Sequence, residues 1–133
     1  MALVLISPST TEVITLVEAK AHLRVDTTDD DTYITVLIKA ARQHVEDFTR
    51  RALILQTWEL ILDAWPTDDT VVIPLPPLKS IVSVKYKDSD GTESTLATSE
   101  YIVNTGEEPG KVVLGYGKTW PTATLYPTRP ITV

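Results

Sequence analysis

The chain has 133 residues, 43% hydrophobic and 23% charged, the composition of one folded domain and not of a disordered tail. Its 18 acidic and 12 basic residues give a net charge of −6, which argues against non-specific gripping of nucleic acid, since that relies on Lys and Arg against phosphates. No apolar run approaches the roughly 18 residues of a membrane span, and the absence of cysteine excludes a disulfide scaffold and thiol chemistry.

Residues 1–14 read as extended or loop, broken by Ser7-Pro8-Ser9; Met1 to Ile6 is apolar but lacks the basic flank and length of a secretory signal. Thr15 and Glu18 have capping-box spacing and open a short helix, Leu16 to Arg24, with Leu16, Ala19 and Leu23 on one face. A long helix is expected from Asp29 to Ala52. At 100° per residue, Ile34, Leu37, Ile38, Ala41, Val45, Phe48 and Ala52 form one apolar stripe, expected to be core, with Lys39, Arg42, Gln43, Glu46 and Arg50 opposite. Thr28 and Asp31 again have capping-box spacing, and Asp29-Asp30-Asp31 places negative charge at the positive end of the helix dipole. Arg42–Glu46, Glu46–Arg50 and Asp47–Arg51 are spaced for i,i+4 pairs. Tyr33, Val36, Ala40 and His44 form a second, semi-apolar flank. Either a neighbouring helix of the same chain covers that flank, or another subunit does; the four residues are therefore the candidate subunit interface.

Past Leu53 the hydrophobic period changes from 3.6 to 2. Trp58 to Asp63 and Val71 to Ile73 read as strands, separated by a loop at Trp65 to Asp69. Pro74-Leu75-Pro76-Pro77-Leu78 lacks ladder donors at three positions and is an edge or connector. Ile81 to Lys87 alternates cleanly, with Val82, Val84 and Tyr86 on one face. The Asp88–Gly91 turn returns the chain along Thr92 to Leu96, and Gly91 is expected at positive φ. Tyr101–Val103 and Lys111–Leu114 form a second hairpin around Gly106 to Gly110, and Ile131-Thr132-Val133 begins a last strand. The fold class is α+β: two N-terminal helices, short then long, followed by a small antiparallel sheet of four to six strands arranged as hairpins. A single domain is expected, helical over 1–55 and antiparallel β over 56–133.

No residue set predicts catalysis, a cofactor or a metal. His22 and His44 have no carboxylate at ligand spacing, and Asp29 to Asp31 lacks the alternating order of a calcium loop. No Walker A, G-x-S-x-G or G-x-G-x-x-G pattern occurs. Trp58, Trp65 and Trp120 read as core. Two functions of other classes stay open: a small nucleic-acid-binding module using Lys85 and Lys87 beside Tyr86, and an enzyme with a carboxylate metal site at Asp29 to Asp31.

Several stretches stand in a distinctive order. They are Val17-Glu18-Ala19-Lys20-Ala21-His22-Leu23-Arg24-Val25-Asp26, the Asp29-Asp30-Asp31 helix start, Ala40-Ala41-Arg42 with Val45-Glu46, and Gln56-Thr57-Trp58. Ile73 to Leu78 leading into Ser80 to Tyr86, the Asp90-Gly91 turn, Tyr101 and Trp120-Pro121 complete the series. In this order and spacing the chain resembles the head–tail connector (adaptor) proteins of tailed bacteriophages. The resemblance implies a non-enzymatic homo-oligomeric ring in the virion neck, made in the bacterial host cytoplasm. Its implied partners are the portal protein and tail-side neck proteins; DNA passes through without sequence-specific binding, and neither membrane nor cofactor is involved. Family members usually continue past the Trp-Pro region with a further strand and helical segments, so the chain is expected to lack that C-terminal segment.

Overall fold

The computed structural model describes residues 1–133. They form two compact units: residues 8–56, and residues 1–7 together with 57–133.

In the first of these, helix α1 spans Leu16–Leu23 and helix α2 spans Asp31–Thr49. The α1 capping box forms as the sequence requires. The Glu18 N–H donates to Thr15 Oγ1 at 3.2 Å, and the Thr15 N–H donates to Glu18 Oε2 at 2.8 Å. The Thr15 N–H, and next its hydroxyl, which donates to Glu18 Oε2 at 2.8 Å, hold the Glu18 carboxyl below its ordinary pKa. Arg24, left-handed at φ +57°, ends the helix.

The capping box expected at Thr28 and Asp31 does not form. Asp30 is the N-cap without a side-chain bond, and the Asp31 N–H donates to the Thr28 carbonyl instead. The Asp31 carboxylate is drawn to Lys20 Nζ of α1, 2.5 Å away, so tertiary pairing outcompetes the local cap. The far end also falls short of Ala52. Arg50 turns left-handed at φ +55°, its N–H and that of Arg51 closing on the Glu46 carbonyl.

The other unit is built of eight strands: β1 (Ala2–Ser7), β2 (Thr57–Leu62), β3 (Thr70–Val72), β4 (Lys85–Lys87), β5 (Glu93–Thr95), β6 (Tyr101–Asn104), β7 (Lys111–Leu114) and β8 (Ile131–Thr132). They make two antiparallel sheets in place of one, ordered β1-β2-β8-β4-β5 and β3-β7-β6. Leu60, Val84 and Leu96 from the first sheet region and Val71, Tyr101 and Val112 from the second share one buried cluster. β8 inserts between β2 and β4, pairing Ile131 with Leu62 and Tyr86. Ile131 is fully buried there.

Both expected hairpins are present. In the first, Gly91 stands at φ +83°, and Asp88 Oδ1 accepts the N–H groups of Asp90 and Thr92. The expected strand Ile81–Lys87 is shorter than its alternation suggests. Its partners register only with Lys85 to Lys87, so Val82 is exposed while Val84 is buried. The proline-rich connector remains outside the sheets and is pinned at Gly110, whose missing Cβ leaves room for the Leu78 side chain.

A candidate interaction surface on the helical unit

The apolar stripe of α2 is not a closed core. Of its members only Ile34 is buried and Ile38 and Ala52 half-buried, while Leu37, Ala41, Val45 and Phe48 face solvent. Phe48 is 84% exposed. The physical reason is the shortness of α1: its eight residues present Ala19 and Leu23 to a partner of 19 residues and leave the rest of the stripe uncovered. The result is an apolar groove of about 420 Å³, lined by Ile14, Ala19, Leu23, Ile34, Ile38 and Val45 among others. His22 also lines it, so one of the two histidines belongs to the groove.

The candidate interface residues Tyr33, Val36, Ala40 and His44 are all exposed along one row of α2, with Tyr33 at 64% and Val36 at 59%. No helix of the same chain covers them. Leu37 lines the groove on the side facing this row and Phe48 lies beside it, so exposed apolar side chains run from Val36 round to the groove.

Two residues of the polar side of α2, Arg42 and Glu46, are drawn inward, while Lys39, Gln43 and Arg50 stay exposed. Arg42 Nε donates to Glu12 Oε2 at 2.7 Å and Nη1 to Glu46 Oε2 at 2.6 Å. The three side chains are only 13%, 21% and 12% exposed. The bond to Glu12 raises the Arg42 pKa most, with Glu46 adding to it, so this guanidinium stays charged. Glu46 Oε1 accepts from the Leu53 N–H at 2.9 Å and from Gln56 Nε2 at 2.7 Å. This clasp therefore fastens both Glu12, which adjoins the groove lip at Val13 and Ile14, and Leu53 on the other lip. Sequence spacing announces the Arg42–Glu46 pair, but Glu12 lies 30 residues away and carries no local signal.

The alternative chemistry sites are engaged elsewhere. Lys85 Nζ donates to Glu93 Oε1 at 2.9 Å, which raises the Lys85 pKa and lowers that of Glu93. Tyr86 meets Trp65 edge-on at 6.1 Å, and Trp65 stacks on Trp120 at 4.7 Å, so the basic strand's aromatic is part of an internal cluster. Asp31 is paired with Lys20, and no three His, Asp or Glu side chains converge on a metal-sized site.

The exposed stripe of α2 is an apolar surface of the kind that marks an interaction site. Residues 13–108 match the sequence model described as Phage gp6-like head-tail connector protein. The chain belongs to this connector family. The family is one of structural phage proteins, and the match spans both helices, the proline-rich connector, the first hairpin and β6. No curated protein sequence matches this connector. Among solved structures it is similar to a chain in the neck of an empty GTA particle computed with C6 symmetry, with TM-score 0.79 and 20% identity. A chain from the virion of the native gene transfer agent particle matches with TM-score 0.74 and 22% identity. A third, in the neck of the native particle computed with C12 symmetry, gives TM-score 0.65 and 21% identity. Each comparison covers 99% of this connector and 68%, 68% and 66% of the other chain, respectively, so the fold is shared end to end while those chains are longer.

Proposed function

We propose that this connector is the subunit of a homo-oligomeric ring in the neck of a tailed phage or phage-like particle. The ring joins the portal to tail-side neck proteins and lets DNA pass without sequence-specific binding or catalysis. The observation that carries this reading is the apolar arc of α2 that its own chain leaves in water. A monomer gains nothing from Val36 and Phe48 in solvent, whereas an assembly gains about 25 cal/mol for each Å² of apolar surface it covers. Family membership and the C6 and C12 symmetries in the descriptions of the similar neck structures support the same direction. The net charge of −6 suits a lumen past which DNA slides.

In this reading Tyr33, Val36, Ala40 and His44 form part of the subunit interface, the virion neck is the site of action, and the chain is made in the bacterial host cytoplasm. Native mass spectrometry and electron microscopy of the wild-type chain test it. Closed rings are expected, and a strictly monomeric chain at high micromolar concentration would refute it. A DNA titration at two salt concentrations addresses the nucleic-acid alternative, which requires tight binding that weakens steeply with salt.

A further inference from the structure

Resting on the ring reading, we infer that copies join head to tail, the Tyr33–His44 row of one α2 seating in the groove between α1 and α2 of the next. Three features of the helical unit lead there. The first is direction. At 100° per residue the row and the groove-lining side of α2 are centred about 120° apart around the helix axis. One helix can therefore offer the row to one neighbour and the groove to another at the same time. A contact between two different patches propagates round a ring, whereas a patch that meets itself stops at a dimer.

The second feature is length. The row runs from Tyr33 to His44 and the α2 wall of the groove from Ile34 to Val45, so each extends roughly 16 Å at 1.5 Å per residue. A ridge of side chains spaced three and four residues apart is the shape that enters a groove between two helices.

The third is area. Tyr33 and Val36 of the row, Leu37, Phe48 and the groove lips expose roughly 900 Å², most of it apolar, judged from their fractional exposures and the size of such residues. A single monomer patch is typically about 300–600 Å². A specific interface buries about 1,200–2,000 Å² in total, somewhat more than half of it apolar. The surface is thus too large for a monomer and of the size that one row-to-groove contact per neighbour would consume. The Arg42 clasp holds both lips of the groove in place to receive the row.

A mixing experiment tests the inference. Val36→Asp damages the row and leaves the groove; Val45→Glu damages the groove and leaves the row. Both positions are exposed, and circular dichroism melts verify that each variant folds; Ala40→Glu and Leu53→Glu are the second pair should either not fold. Each variant alone is expected to be monomeric by native mass spectrometry. Mixed in equal amounts they should give a one-to-one dimer and nothing larger, because a single intact row meets a single intact groove. Rings formed by either variant alone, or a mixture that stays monomeric while the wild type forms rings, would overturn the head-to-tail contact and leave the ring itself standing. A monomeric wild type would overturn both.

Discussion

The clasp at Arg42 allows a quantitative test of how the helical unit holds its shape. Arg42→Ala strands two carboxylates that are mostly out of water, Glu12 and Glu46. Removing one partner of a fully enclosed ion pair costs about 3–5 kcal/mol. The cost here should be smaller, for two reasons. Glu46 keeps the Leu53 N–H and Gln56 Nε2 as donors. Glu12 loses both Arg42 nitrogens, Nε at 2.7 Å and Nη2 at 3.4 Å, but lies at the unit's edge and can turn to solvent. We therefore expect a loss of about 2–3 kcal/mol, measured by urea denaturation at a concentration where the chain is monomeric. Glu12→Gln removes the charge that Arg42→Ala strands, so the double variant should be about 1 kcal/mol more stable than the sum of the single losses. Hydrogen exchange should also show the segment around Glu12 opening first. A loss below about 0.5 kcal/mol, or strict additivity in the double variant, would mean that the clasp is a solvated surface pair and not a fastening.

Phe48→Ala should cost the monomer less than about 1 kcal/mol because so little of the ring is buried, while Ile131→Ala should cost about 2–5 kcal/mol in the same urea melts; equal losses would contradict the exposed stripe. Gly91→Val should destabilise the chain by roughly 1–2 kcal/mol, since φ +83° is left-handed backbone that a β-branched residue resists, and the Tyr126 ring at 3.7 Å from an added Cβ is only in ordinary contact. Glu18 titrates below its ordinary 4.5 in the folded chain, so its capping contribution is complete above that value and fades as pH falls through the lowered folded pKa. Amide exchange in α1 should accelerate over that acidic interval, and Glu18→Gln should remove the pH dependence; an unchanged profile in the variant would assign the effect to another group.

What the sequence determines by itself is local. The Thr15–Glu18 box, the position of α2, the Asp88–Gly91 turn and the two hairpins all follow from interactions among residues a few positions apart, and each is present. The order of the connector stretches likewise shows the family without any coordinates. Tertiary structure decided the rest, wherever a partner distant in sequence competes for the same group. Lys20 took Asp31 from its expected cap, and short partner strands left Val82 outside the sheet. Residues 2–7 became an edge strand only because Trp58 to Ile61 lay ready to pair with them. The candidate surface shows the limit most clearly. Periodicity locates the apolar face of α2, but hydrophobicity carries no address, and a stripe meant for the same chain's core looks identical to one meant for a neighbour. Only the length of α1 against that of α2, and the drawing of Arg42 and Glu46 inward by Glu12, Leu53 and Gln56, left most of the apolar stripe open.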